Sequence, residues 1–81
     1  MRARVYVTLK KSVFDPQGKT IHDALQSMGY TGVADVRQGK FFEVALEGVS
    51  ADQARKTAEE IAHKVLANPV IESYRVEVDQ E

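Results

Sequence analysis

Eighty-one residues without a cysteine make one small domain, spanning residues 1–81, that neither disulfides nor thiolate-bound metal can staple. Eleven Lys and Arg against twelve Asp and Glu leave a formal net charge of −1, so there is no basic surplus to displace counterions from nucleic acid. No apolar run is long enough to span a membrane, and Met1-Arg2-Ala3-Arg4 lacks the apolar core of a signal peptide, so the expected location is the cytoplasm.

The run from Ala3 to Lys10 alternates, with Ala3, Val5, Val7 and Leu9 on one side and Arg4, Tyr6, Thr8 and Lys10 on the other, which predicts a half-buried strand. Asp15-Pro16-Gln17-Gly18 fits a type I turn. Thr20 is then placed to cap a helix whose apolar stripe is Ile21, Ala24, Leu25 and Met28, with Gly29 positioned to end it. Val33 to Gln38 and Phe41 to Glu47 predict two strands joined tightly around Gly39-Lys40, with one long bent strand as the alternative. Ser50 and Gln53 form a capping-box pattern. Behind it Ala54, Ala58, Ile61, Ala62, Val65 and Leu66 make an apolar stripe, and Arg55/Glu59 and Lys56/Glu60 are spaced as ion pairs on the wet face. Pro69 stops this helix, and Val70 and Ile71 open a last strand bearing Tyr74, Val76 and Val78.

The order β-α-β-β-α-β predicts an α+β, ferredoxin-like layer: an antiparallel sheet with both helices on one face. In that arrangement the first and third strands are central, and Tyr6, Phe41 and Ala45 point away from the helices. Aromatic surface in the middle of an uncovered sheet favours self-association, as does the small core of so short a chain. RNA-recognition modules share this topology and stack bases on central-strand aromatics, but Glu43 and Glu47 would face the phosphates here.

The residues offer no catalytic constellation. His22 and His63 fall on the polar sides of different helices without an acidic cluster, so no metal site is expected. No glycine-rich phosphate loop occurs, Ser12, Ser27, Ser50 and Ser73 lack a nucleophile elbow, and Glu59-Glu60 is helix charge patterning. Without cysteine there is no glutaminase thiolate either. No catalytic residue and no cofactor-binding residue is assigned to this chain.

Three segments carry a family resemblance: Asp15-Pro16-Gln17-Gly18, Val36-Arg37-Gln38-Gly39-Lys40, and Leu66-Ala67-Asn68-Pro69-Val70-Ile71-Glu72. In this order and spacing, between Val5 and Val78, the chain resembles the PurS family, the small subunit of phosphoribosylformylglycinamidine synthase in purine biosynthesis. The resemblance implies a homodimeric, non-catalytic adaptor. Its partners would be a PurL-type synthetase, which uses ATP and magnesium to activate the amide of formylglycinamide ribonucleotide, and a PurQ-type glutaminase, which releases ammonia. It implies that Asp15, Gln17, Arg37, Lys40, Asn68 and Glu72 are the candidates for partner contact, with Arg37 and Lys40 foremost because strand-flanking positions do not themselves require Arg or Lys, and a carboxylate or phosphate is the group they would contact. A ligand-sensing domain of the ACT type shares the topology and is the alternative, although the loop Lys11 to Pro16 lacks the glycine such sites use.

Overall fold

The computed structural model describes residues 1–79. The elements are β1 (Arg2–Leu9), α1 (Pro16–Ser27), β2 (Gly39–Ala45), α2 (Ala51–Ile61) and β3 (Glu72–Asp79), and α2 continues into a single π-helical turn, Ala62–Leu66. The three strands form one antiparallel sheet in the order β2-β1-β3. No helix among the described residues is long and apolar enough to cross a membrane.

The alternation of β1 sets the core. Ala3, Val5 and Val7 are fully shielded on one face, and Val5 stands between Phe42 of β2 and Val76 of β3. Across them lies α2, which presents Ala54, Ala58 and Ala62, each with no exposed surface. Alanines at this spacing let the helix backbone come close to the sheet, and α2 packs against β3 and β1. The capping box forms as the sequence predicts: the Gln53 amide donates to Ser50 Oγ at 3.2 Å, and the Ser50 amide donates to Gln53 Oε1 at 3.2 Å. Arg55 on the same helix donates to the Val76 carbonyl at 3.1 Å.

The described fold is β-α-β-α-β, with three strands where four are expected. Val33 to Gln38 is not a strand, and Gly39-Lys40 opens β2 rather than turning a hairpin. The reason is that this segment bonds to α1 and its cap. The Val33 carbonyl accepts from Gln26 Nε2 at 2.9 Å, and the Gln38 amide donates to Asp15 Oδ2 at 2.8 Å. Backbone groups spent in this way are not available for a ladder. With no fourth strand, Phe41 sits on an edge strand and β1 alone is central.

Two element boundaries also differ from expectation. Asp15, not Thr20, caps α1: its Oδ1 accepts from the Gly18 amide at 2.9 Å, and Pro16 occupies the first helical turn. A type I turn and a first helical turn share the same right-handed dihedrals, so the Asp-Pro signal serves either. Thr20 Oγ1 instead donates back to the Pro16 carbonyl, and Asp23, four residues from Lys19, pairs with it at 3.0 Å. At the other end Val70 and Ile71 belong to a turn, and β3 begins at Glu72. Asn68 makes that turn: its carbonyl accepts from the Ile71 and Glu72 amides at 3.1 and 2.7 Å, and its Oδ1 accepts from the Val70 amide at 3.1 Å.

α1 does not lie on the sheet beside α2. It projects with its return segment as an arm, giving the molecule extents of 50 × 28 × 13 Å and a radius of gyration of 16.0 Å. A compact chain of this length has a radius near 12 Å. The stripe expected to be core is accordingly open: Ala24 is exposed, and Ile21 and Met28 keep 40% and 71% of their surface.

Candidate partner-docking site

The three motif segments, distant in sequence, converge at one end of the sheet. The loop after β1 supplies Asp15, the first turn of α1 supplies Gln17, the entry to β2 supplies Gln38, Gly39 and Lys40, and the entry to β3 supplies Glu72. Together with Thr8 and Leu9 they line an open cleft of about 260 Å³.

Asp15 is the fixed point. It is 5% exposed, and its two carboxylate oxygens hold two separate segments, Oδ1 the Gly18 amide and Oδ2 the Gln38 amide. The Gln38 amide, then the Gly18 amide, hold its carboxyl below the ordinary value of 3.8. Both motif glycines answer to the closeness of this packing. A Cβ on Gly18 would stand 2.1 Å from the Val36 carbonyl oxygen, and one on Gly39 would stand 2.5 Å from that of Val7. Above this floor, Gln38 Nε2 donates to Gln17 Oε1 at 2.8 Å.

The opposite wall is an ion pair. Lys40 Nζ lies 3.4 Å from Glu72 Oε2, while Glu72 Oε1 accepts from the Asn68 amide at 2.7 Å. That amide, and then Lys40, lower the Glu72 carboxyl from its ordinary 4.5. Glu72 is the inner partner, its side chain 12% exposed against 54% for Lys40. Each carboxylate accepts from fixed donors, which favour its charged form. The cleft offers amides, one ammonium and two hydrogen-bonded carboxylates.

Five of the six candidates therefore gather here: Asp15, Gln17, Lys40 and Glu72 directly, and Asn68 through Glu72. Arg37 points elsewhere. Its Nη2 donates to the Lys10 and Val13 carbonyls at 2.8 and 2.9 Å and fastens the loop between β1 and α1. His22 Nε2 lies 3.1 Å from the Val33 carbonyl, and His63 meets the Tyr74 ring edge-on. Among the described residues, no group of three or more His, Cys, Asp or Glu is arranged to hold a metal.

The outer face of the sheet carries the self-association candidates. Tyr6 and Phe41 are register partners with ring centroids 5.1 Å apart, and Arg75, opposite Tyr6 on the other side, places its guanidinium 4.3 Å from the Tyr6 ring. Ala45 stands exposed at the end of β2 beside Arg2. Ion pairs surround the aromatics: Arg2 with Glu43, Arg4 with Glu77 and Asp79, and Arg75 with Glu77. This is a laced, charge-balanced face rather than an apolar patch.

Residues 2–80 match the family model described as PurS, phosphoribosylformylglycinamidine (FGAM) synthase. The chain belongs to the PurS family. It is 47% identical over 79 residues to the PurS subunit of phosphoribosylformylglycinamidine synthase from Bacillus subtilis, covering 98% of this chain and 93% of that one. It is similar to the crystal structure of Methanocaldococcus jannaschii PurS, a subunit of formylglycinamide ribonucleotide amidotransferase in the purine biosynthetic pathway. The TM-score is 0.89 at 35% identity, over 99% of this chain and 96% of that one. A chain of the Thermotoga maritima PurLQS structure matches with a TM-score of 0.85 at 28% identity, over 94% of this chain and 93% of that one. The family thus enters through motifs whose residues build the floor and walls of one cleft.

What sequence reasoning missed is the arm. Phe14 and Tyr30, 66% and 56% exposed, flank the open stripe of α1. Their isolated positions carry no periodicity that would have singled them out.

Proposed function

We propose that this chain is a non-catalytic, cytoplasmic adaptor, a homodimer that docks a glutaminase to an ATP-dependent synthetase within phosphoribosylformylglycinamidine synthase. The observation that carries the reading is the match, over nearly the full length of both chains, to a chain of PurLQS. The chain's own chemistry agrees with an adaptor: it has no cysteine for a glutaminase thiolate, and the cleft carboxylates are already bonded. ATP and magnesium belong to the synthetase. The cleft of Gln17, Gln38, Lys40 and Glu72 is the contact surface, where a partner's polar side chains meet amide donors and acceptors held in place by Asp15. The benefit is proximity, because ammonia passed inside an assembly avoids dilution and protonation in bulk water.

The test is co-purification. Mixed with its synthetase and glutaminase under Mg-ATP and glutamine, the chain should elute with both as one assembly, and Gln17→Ala combined with Lys40→Ala should release it. Elution of all three proteins separately would remove the adaptor reading.

A further inference from the structure

We propose that the turn between β1 and α1 is a preformed docking loop. It holds Phe14 out as an aromatic anchor for an apolar pocket with a carboxylate rim on a partner subunit, and Arg37 is the residue that positions it. The inference rests on the adaptor reading above and gives the chemistry of the partner's contact. Loops between elements are ordinarily the loosest part of a small fold. This one is tied at both ends and across its middle. The Lys10 amide donates to the Ile71 carbonyl at 2.8 Å, and the Val13 amide closes the turn on the Lys10 carbonyl at 2.9 Å. Arg37 reaches back across the turn, its Nη2 donating to the Lys10 and Val13 carbonyls at 2.8 and 2.9 Å. Asp15 fixes the far end by accepting from the Gly18 and Gln38 amides.

These bonds fix the backbone on both sides of a ring that keeps 66% of its surface, although its neighbour Asp15 is buried. An aromatic side chain on a fixed backbone loses little freedom when it is bound, and such residues carry much of the energy of protein contacts. Charge gives the rim of the pocket it fits. Lys10 and Lys11 are exposed and join no ion pair among the described residues, whereas Lys19 and Lys40 have carboxylates at 3.0 and 3.4 Å. Two unpaired ammoniums beside an aromatic complement an apolar pocket edged by carboxylates. The loop also continues the cleft described above, because Asp15 lines both that cleft and the groove of about 190 Å³ that Phe14, Lys19, His22 and Arg37 share. Nucleic acid is the poorer occupant: the chain has no basic surplus, and Asp35 lines the same groove.

The test titrates the full chain into its synthetase and glutaminase under Mg-ATP, formylglycinamide ribonucleotide and glutamine. The readout is the chain concentration that gives half-maximal turnover. Phe14→Ala should raise that concentration about tenfold or more, with turnover at saturation and melting temperature unchanged. Lys10→Glu combined with Lys11→Glu should raise it as well, and should remove part of the wild type's dependence on salt. Arg37→Ala should raise it too, and adding Phe14→Ala to that variant should give no more than Phe14→Ala alone, because positioning has no effect once the anchor is gone. Additive effects of the two substitutions, with a lowered melting temperature for Arg37→Ala, would make Arg37 merely structural and overturn its positioning role. Wild-type half-saturation for folded Phe14→Ala, or for the double lysine variant, overturns the docking loop. So does a Phe14→Ala chain that sediments at lower mass than wild type, which would give the ring to a second copy. A wild-type chain that stimulates no turnover removes the adaptor reading itself, and the loop with it.

Discussion

Replacing Asp15 with Ala leaves the Gly18 and Gln38 amides without acceptors at once, unseating the start of α1 and the entry to β2 together. The expected result is a melting temperature lower by several degrees, read by circular dichroism, whereas Thr20→Ala, which removes no cap, should change little. Acid should act on the same groups. Asp15 and Glu72 both titrate below their ordinary values of 3.8 and 4.5 because backbone amides donate to the charged forms. The folded chain therefore binds fewer protons than the unfolded chain in that range. Their contribution is complete above the ordinary carboxylate values and is lost as pH falls through the lowered folded ones. Melting temperatures between pH 6 and pH 2 should fall at the acid end, less steeply for Asp15→Ala. Local chemistry made the Ser50-Gln53 capping box legible in the sequence, since both partners lie three residues apart. The choice between Asp15 and Thr20 was not, because Asp15-Pro16-Gln17-Gly18 serves a type I turn and a first helical turn equally well.

At the scale of elements, α2 depends on small side chains rather than large ones. Ala58 is fully buried where the helix meets the sheet, so Ala58→Leu should push them apart and cost about 1–3 kcal/mol of stability by chemical denaturation. An unchanged denaturation midpoint would mean that α2 does not approach β1 and β3 as described. β1 was legible because strict alternation leaves one assignment, with Ala3, Val5 and Val7 inward. Val33 to Gln38 misled because a short run with Val33 and Val36 has strand character only until its carbonyls and amides find other partners, here Gln26 and Asp15. For α1, the periodicity of Ile21, Leu25 and Met28 stated correctly that one face is apolar. Periodicity does not say whose surface will cover it.

For the whole molecule, the motifs and the topology do different work. The cleft shows why Asp15, Gly18, Gln38, Gly39, Asn68 and Glu72 take their residue types, and most of those reasons are architectural: a cap, two close approaches, and a turn closed by a carboxylate. Arg37, foremost with Lys40 among the partner candidates in the sequence, is occupied with the Lys10 and Val13 carbonyls, which leaves Gln17, Lys40 and Asn68 as the other exposed members of the group. Membership of the PurS family was legible through the resemblance of three segments rather than through any reactive group. The measurement that bears most directly on the adaptor role compares nitrogen sources. Synthetase and glutaminase are assayed with Mg-ATP and formylglycinamide ribonucleotide, with and without this chain, using either glutamine or free ammonia. Free ammonia bypasses the docked glutaminase, so the adaptor account predicts strong stimulation with glutamine and little with ammonia; equal stimulation with both, or none with either, would contradict it.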